Sequence, residues 1–359
     1  MLSDTLRHRL LDGLVIPAHP LALTDTLILD EPRQRALTRY YLDSGAGGIA
    51  VGVHTTQFAI RDPRHGDLHE RVLRIAAEEA TAWHAEHDVP PPLLVAGVLG
   101  PTGQALAEAR LAASFGYHMA MVATPGWRDE PDAAILAGVR EIGQVMPVFG
   151  FYLQPTIGGR RFRYDFWRAY ADIPEVAAIK IAPFDRYDTL NVIRAVVDAG
   201  RAGRPESPNQ IALYTGNDDS IVTDMLTPYR FGDVTAHIVG GLLGQWAVFT
   251  PAAVALHAEA RRVVREGGPV PLDLLARAAE LTDVNSAIFD AAHNFAGSIA
   301  GVNEVLVRGG LMAGNWCLDP DERLSPGQHE EITRALLAHP SVTVAADGHP
   351  AYSRGSIQP

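Results

Sequence analysis

The sequence predicts a (β/α)8 barrel followed by a helical extension. Short apolar runs rich in β-branched residues alternate with segments of helical spacing seven times in succession, a pattern typical of parallel α/β folds. Each apolar run ends in a loop that carries polar, proline or glycine residues. Beyond position 267 the pattern becomes purely helical. We therefore predict a barrel over residues 1–267, a three-helix extension over 268–340 and a loosely ordered tail over 341–359.

The predicted elements follow one another in a regular order. Strands are expected at 14–22, 47–53, 92–99, 118–125, 148–155, 176–182 and 211–217, with helices at 31–43, 69–87, 102–115, 131–145, 162–172 and 187–199. The eighth strand has two candidates, 236–240 and 245–250. We favour 245–250 because the helical pattern at 251–265 then supplies the eighth helix, which makes 229–241 an insertion. In the extension, helices are expected at 272–281, 285–308 and 325–337.

Composition restricts the classes of function. Hydrophobic residues make up 47% and charged residues 20% of the 359 positions, as in ordinary globular proteins. The formal net charge of −12 disfavours a nucleic acid or an anionic membrane as the partner. Cys317 is the single cysteine, which excludes an intrachain disulfide, and the histidines lack the spacing of a zinc site. We expect a cytoplasmic protein without metal or cofactor, since signal-peptide, bilayer-spanning and dinucleotide-binding patterns are absent.

Lys180 is the residue on which the functional interpretation depends. It is the only lysine of the chain, and it lies inside the apolar run 176–182, where an ammonium ion is costly unless it is paired or neutralised. Arginine keeps its proton in proteins, whereas a desolvated lysine can lose it and attack a carbonyl group. The alternative is a lysine that extends from the end of a strand to solvent.

Other candidate residues lie near the ends of the predicted strands. Thr55 and Thr56 follow the second strand, Trp127 follows the fourth, and Tyr152 lies on the fifth, next to the lysine strand. Taken singly, the threonines are turn residues and the tyrosine an amphipathic core residue. Together with Lys180 they predict a site for a 2-oxo acid, with Tyr152 as a proton shuttle. The pair at 218–219 is interpreted first as a helix N-cap.

These residues, in this order, resemble the dihydrodipicolinate synthase/N-acetylneuraminate lyase family of class I pyruvate aldolases, from about position 14 to 337. Residues 49–56 look like the strand that leads to the family's Gly-Thr-Thr-Gly-Glu loop, and 152–155 look like its Tyr-Asn-x-Pro motif. Residues 178–180 are similar to the Gly-Ile-Lys of the Schiff-base strand. Residues 215–219 resemble the Ser-Gly-Asp-Asp turn after strand seven.

The resemblance implies specific roles. Lys180 would form a Schiff base with the 2-oxo acid, and Tyr152 would be the acid/base group. Thr55 would relay protons, Thr56 would hold the substrate carboxylate, and Gly216 would offer backbone contacts. A homo-oligomer, tetramer or dimer, is also implied.

Three departures from the family pattern concern the second substrate. Gln57 and Phe58 replace the Gly-Glu after the threonine pair, and Ile157 stands where the synthase has a carboxylate-binding arginine. Trp127 lies where the synthase has a tyrosine pair. We expect Trp127 and Phe58 to make the pocket for the second substrate more apolar, and we also count Ile157 among the substrate-binding residues.

The sequence thus predicts a Schiff-base-forming lyase that makes or breaks a C–C bond next to an imine of pyruvate or a related 2-oxo acid. Three alternatives remain open. A deoxy-keto sugar acid dehydratase would use the same imine, 4-hydroxy-tetrahydrodipicolinate synthase would condense it with aspartate semialdehyde, and a 2-oxo acid sensor would bind without turnover.

Overall fold

The computed structural model describes residues 2–203 and 209–343, and it confirms the predicted (β/α)8 barrel. Eight of its strands belong to one sheet, and two more form a small antiparallel hairpin. In chain order the strands are β1 Val15–Pro17, β2 Gly48–Val51, β3 Leu93–Leu99, β4 Met119–Ala123, β5 Val148–Leu153, β6 Val176–Ala182, β7 Ala212–Thr215, the hairpin strands β8 Tyr229–Phe231 and β9 Val234–Ala236, and β10 Ile238–Leu243. Every residue of β3 to β7 is buried, as expected for parallel strands covered on both faces.

Helices follow most of the strands. They are α1 Asp4–Asp12, α2 Glu31–Asp43, α3 Leu68–Glu86, α4 Thr102–Ser114, α5 Asp132–Gly143, α6 Tyr164–Ala171, α7 Arg186–Asp198, α8 Ile221–Leu226, α9 Gln245–Val248, α10 Thr250–Glu266, α11 Leu272–Ile288, α12 Ser298–Arg308 and α13 Gln328–Ala338. Their starts match simple capping rules: Ser3, Asp30 and Asp185 each accept a backbone N–H of the first turn.

One compact unit of the chain comprises Met1–Leu14 and Leu93–Leu242. Its strands lie in the order β10-β7-β6-β5-β4-β3, and all the neighbouring pairs are parallel. The buried guanidinium of Arg201 donates to five backbone carbonyls, those of Ala171, Ile173, Pro174, Val176 and Asn209. These five hydrogen bonds hold the backbone in place at the start of β6.

The other compact unit comprises Val15–Pro92 and Leu243–Pro359. Its two strands, β1 and β2, run parallel through the bridge between Ala18 and Ala50. Helices α2 and α3 pack together, and arginines of α2 form ion pairs with glutamates of α3, such as Arg39 with Glu79 and Glu86. Helices α11, α12 and α13 pack against one another in this unit.

The eighth barrel strand differs from the prediction. The favoured segment 245–250 is helical, forming α9 and the start of α10, and β10 at Ile238–Leu243 is the eighth strand. The segment 229–241 is therefore not a simple insertion, since it holds the β8–β9 hairpin and most of β10. Because β10 contains glycines, its sequence does not have the composition of a strand. Gly240 is nevertheless required by the structure, since a Cβ at this position would lie 2.5 Å from the carbonyl oxygen of Leu14.

The helices of the extension also differ in detail. Helix α11 continues to Ile288, so the predicted break between 281 and 285 does not exist. The chain instead turns at 289–297, where Asp290, Asn294 and Phe295 adopt left-handed backbone conformations. Ser341 to Thr343 end in a short 3₁₀ turn, and the rest of the predicted tail lies outside the described residues. The predicted boundary at 267 stays a prediction.

Candidate active site

Lys180 lies in the middle of β6, at the level of Phe151 on β5 and Tyr214 on β7. Its side chain is 8% exposed, so it is not a lysine that extends to solvent. The Nζ atom lies 4.3 Å from the centroid of the Phe151 ring. Because a cation is attracted to an aromatic face, this contact favours the charged amine, whereas burial favours the neutral one.

Burial has the larger effect on this amine. It lowers the pKa of Lys180 to about 8, and the nearby Asp218 carboxylate opposes the shift by favouring the ammonium form. The reciprocal effect holds for Asp218, where burial raises the pKa to about 7 and the attraction of Lys180 opposes it. Each of the two groups therefore influences the protonation of the other, as is common at catalytic sites.

Gly216 follows β7 and lies against the lysine side chain. A Cβ at Gly216 would be 2.4 Å from Cε of Lys180, so any other residue here would displace the lysine. The Gly216 N–H donates to the carbonyl oxygen of Ile181 at 2.8 Å. The predicted backbone contact with a substrate stays a prediction, since the observed role of Gly216 is to let the turn approach Lys180.

Tyr152 has its hydroxyl on the other face of β5. The hydroxyl donates to Oδ2 of Asp188 on α7 at 3.1 Å, and it accepts the N–H of Phe162 at 3.3 Å. The ring packs at 5.0 Å from Trp167 of α6, and burial raises the pKa of the Tyr152 phenol well above its usual value. Arg161 also pairs with Asp188, at 2.9 Å.

A register irregularity explains this orientation. Val148 pairs with Val176, but Phe149 pairs with Ala178, so β6 contributes one extra residue at the start of the β5–β6 ladder. Without it, Tyr152 would stand level with Lys180. With it, Phe151 takes that position, and the alternation of side chains along a strand turns Tyr152 toward the helices.

The two threonines belong to the other compact unit, where a 3₁₀ turn holds them. Thr55 Oγ1 donates to the carbonyl oxygen of Ala18 at 2.8 Å. Thr56 Oγ1 donates to that of His19 at 2.6 Å and accepts the N–H groups of Gly52 and Val53. Both side chains are buried. These bonds tie the loop after β2 to the end of β1, and the roles of Thr55 and Thr56 in proton relay and carboxylate binding stay predictions.

Gln57 has a defined role in the same unit. Its Oε1 accepts the N–H of Leu318 at 2.6 Å, and its side chain is buried. Gln57 therefore connects the threonine loop to the segment between α12 and α13. Its backbone φ of 67° is the left-handed conformation in which glycine is easiest to place.

Trp127 and Ile157 lie in the short 3₁₀ turns after β4 and β5. The indole of Trp127 is 2% exposed, and it packs on Gly100, where a Cβ would be 2.3 Å away. Its Nε1 donates to Thr102 Oγ1 at 3.3 Å. Ile157 is half-buried. Contact of either residue with a substrate stays a prediction, and for Trp127 the ring is committed to internal packing.

Solved structures resemble the chain along nearly its whole length. Dihydrodipicolinate synthase from Oceanobacillus iheyensis superposes with a TM-score of 0.70 at 19% identity, over 94% of this chain and 99% of that one. The chloride-inhibited dihydrodipicolinate synthase from Acinetobacter baumannii, complexed with pyruvate, gives 0.71 at 17%, over 90% and 98%. N-acetylneuraminate lyase from Fusobacterium nucleatum, also complexed with pyruvate, gives 0.68 at 16%, over 93% and 99%.

The chain has the fold of these enzymes. At such identities the likeness establishes the fold alone. No protein-family model and no curated protein sequence matches the chain.

Two further observations concern the described residues. Across 2–203 and 209–343, no group of three or more His, Cys, Asp or Glu side chains could hold a metal ion. Within the same ranges, no helix is long and apolar enough to cross a membrane.

Sequence reasoning assigned Asp218 a different role. It was expected to cap a helix, but α8 begins at Ile221 and its N-cap residue is Ser220. The signal that could have identified Asp218 was its position at the carboxyl end of a strand next to the lysine strand, where barrel active sites lie.

Proposed function

We propose that the protein is a Schiff-base-forming lyase that acts on pyruvate or a related 2-oxo acid through an imine on Lys180. The observation that carries the proposal is a lysine buried in β6 whose pKa is lowered to about 8. A neutral amine is the form that attacks a carbonyl carbon, and a lowered pKa makes that form available near neutral pH. Two solved structures with this fold are complexes with pyruvate, which supports the choice of substrate.

The surroundings of Lys180 suit this chemistry. The amine adds to the carbonyl carbon of the 2-oxo acid, and loss of water leaves a protonated imine. That cation withdraws electrons from the neighbouring carbon, so a C–C bond to it can form or break. The Phe151 ring under Nζ favours a cationic species at this position.

The roles of the other site residues are also part of the proposal. Thr55 and Thr56 are proposed as proton relay and carboxylate ligand, as the resemblance implies. The resemblance assigns the acid/base role to Tyr152, but the Tyr152 hydroxyl bonds with Asp188 and Phe162 on the helix side of β5, which leaves that role open to another residue. Ile157 in place of an arginine argues against aspartate semialdehyde as the second substrate, and a homo-oligomer stays a prediction.

Reductive trapping tests the proposal. The protein is incubated with pyruvate and borohydride, and its intact mass is measured. We expect one reduced pyruvate adduct, located by peptide mapping at Lys180. Lys180→Arg is the matched control because it keeps the positive charge and removes the nucleophile. An adduct that fails to form, or one that persists unchanged in Lys180→Arg, would refute the imine.

The type of reaction needs a second assay. Aldehyde acceptors supplied with pyruvate should yield a condensation product if the enzyme is an aldolase. A dehydratase would instead release water from a deoxy-keto sugar acid, and a sensor would form an adduct without product. Rapid condensation with aspartate semialdehyde would show that Ile157 does not exclude the synthase substrate.

A further inference from the structure

The turn after β7 lies directly on the side chain of Lys180. Tyr214 is the register partner of Lys180 on β7, so the residues that follow Thr215 leave the sheet beside the last residues of β6. The close approach of Gly216 to Lys180 Cε brings the turn within van der Waals distance of the lysine chain. Asp218 is two residues further along, and its Oδ1 atom is shielded from solvent.

A buried polar network fixes this turn. Asn217 Oδ1 accepts the N–H of Phe184 at 3.0 Å, and its Nδ2 donates to Asp224 Oδ2 at 3.0 Å and to Thr189 Oγ1 at 3.2 Å. Phe184 follows β6 and has a φ of 54°. Because its N–H bonds with Asn217, the side-chain amide of Asn217 holds both the end of the lysine strand and the turn. The Asn217 side chain therefore sets where its neighbour Asp218 stands relative to Lys180.

Asp224 holds this network in place. Its Oδ1 accepts two bonds from the Arg186 guanidinium and one from the Tyr229 hydroxyl, and its Oδ2 accepts the Thr215 hydroxyl at 2.6 Å. The carboxylate is fully buried, yet both of its oxygens are satisfied. A turn supported in this way has little freedom, which is a requirement for a residue that transfers protons over short distances.

The tyrosines on the strands beside Lys180 direct their hydroxyls elsewhere. The Tyr152 hydroxyl bonds with Asp188 and Phe162 on the helix side of β5. The Tyr214 hydroxyl donates to the carbonyl oxygen of Leu10 and accepts the N–H of Leu14. Asp218 is the group whose charge acts directly on the lysine.

We propose that Asp218 is the catalytic acid/base residue of the Lys180 imine, an inference that rests on the proposed function. The protonated carboxyl gives its proton to the hydroxyl of the carbinolamine, which leaves as water when the C=N bond forms. The resulting carboxylate removes a proton from the carbon next to the imine, and that C–H electron pair becomes the C=C bond of an enamine. In condensation, the enamine carbon attacks an aldehyde, and the new alkoxide takes the proton back from Asp218.

Proton exchange at the methyl group of pyruvate isolates this step because it needs no second substrate. In D2O, enamine formation and its reversal replace methyl protons with deuterium, which proton NMR follows. We expect Asp218→Asn to lower the exchange rate by about 100- to 10,000-fold, the usual contribution of a general acid/base. Asp233→Asn, a change of an exposed carboxylate in the β8–β9 hairpin, should exchange within about twofold of the wild type.

A second readout tests whether the Asp218 charge acts on Lys180, independently of the exchange rate. Because the Asp218 charge favours the ammonium form, Asp218→Asn should lower the pKa of Lys180 further and move the pH midpoint of borohydride trapping downward. An unmoved midpoint would show that the Asp218 charge does not act on the lysine, which would contradict its placement beside the imine. Asp218→Glu should restore part of the exchange, and Asp218→Ala replaces Asp218→Asn as the test variant if circular dichroism shows the latter to be unfolded.

The outcomes distinguish this inference from the function on which it rests. If the wild type forms no pyruvate adduct, the imine itself is wrong. If the wild type traps and exchanges normally, and folded Asp218→Asn does so at the same rate, then Asp218 is not the acid/base residue while the lyase proposal stands. Loss of exchange in Tyr152→Phe, together with normal exchange in Asp218→Asn, would return that role to the tyrosine.

Discussion

The hydroxyl of Tyr152 bonds with Asp188 at 3.1 Å, on the helix side of β5, one residue along the strand from the ring that lies under Lys180. The pair is buried and shares its carboxylate with Arg161. This relationship makes Tyr152 part of the packing between β5, α6 and α7. It predicts a measurable effect of Tyr152 on stability, separate from any effect on turnover.

Tyr152→Phe should reduce the free energy of unfolding by about 1–3 kcal/mol, because Phe162 N–H loses its acceptor and Asp188 loses a donor. Urea denaturation measures this change. Tyr187→Phe is the matched control: Tyr187 is 79% exposed, and its variant should stay within about 0.5 kcal/mol of the wild type. Equal stabilities of wild type and Tyr152→Phe would contradict the observed hydrogen bonds.

Imine formation should increase as the pH rises through about 8. Burial lowers the pKa of Lys180 from 10.5 to about 8, so the amine is protonated and unreactive below this value and neutral above it. The initial rate of pyruvate trapping by cyanoborohydride, followed by mass spectrometry, gives the midpoint. Lys180→Arg supplies the background from the α-amino group. A midpoint near that of an exposed lysine would show that the side chain is not desolvated.

Gln57→Ala should loosen the segment that follows α12, since the buried Leu318 N–H loses its acceptor. We expect a loss of about 1–3 kcal/mol in unfolding free energy and faster hydrogen exchange around Leu318, read by mass spectrometry. Gln144→Ala, which removes an exposed bond to Glu175, is the control and should leave both quantities nearly unchanged. Unaltered exchange near Leu318 in Gln57→Ala would mean that other contacts hold the segment.

Arg201→Lys should destabilise the chain by about 3 kcal/mol or more, because an ammonium group cannot reach the five carbonyls that the guanidinium satisfies, and the freed carbonyls are buried. Thermal and urea unfolding both measure the effect. Arg262→Lys changes an exposed arginine of α10 paired with Glu266, and it should have almost no effect. If the two variants were equally stable, the five hydrogen bonds at the start of β6 would contribute little to the free energy of unfolding.

The alternation of strands and helices made the barrel predictable, because buried strands and amphipathic helices leave period-two and period-3.6 patterns in one chain. The eighth strand was missed for a specific reason. Gly240 is dictated by the backbone of Leu14, which lies far from it in sequence, and local propensity then favours a loop. Segment 245–250 has strand-like composition, but the chain there is helical.

The candidate site was predictable in part. Lys180 could be identified from the apolar segment 176–182 alone, since a single lysine among apolar residues is evident in the sequence. The orientation of Tyr152 could not, because it depends on one extra residue in the pairing of Val148 with Val176 and of Phe149 with Ala178. The proximity of Asp218 to Lys180 likewise depends on the pairing of β6 with β7. The sequence pattern of either segment alone cannot predict it.

The burial of Lys180 has a consequence for the whole surface. As the only lysine is 8% exposed, it offers no surface lysine amine to modifying enzymes or to cross-linking reagents, although a small molecule that enters the site can still react with it. Acetylation or ubiquitin-type tagging of lysine has no surface target here, and amine-directed cross-linkers can join copies only through the α-amino group. Amine-directed cross-linking would therefore join few copies even of a stable tetramer, and light scattering or native mass spectrometry is the better measure of subunit number.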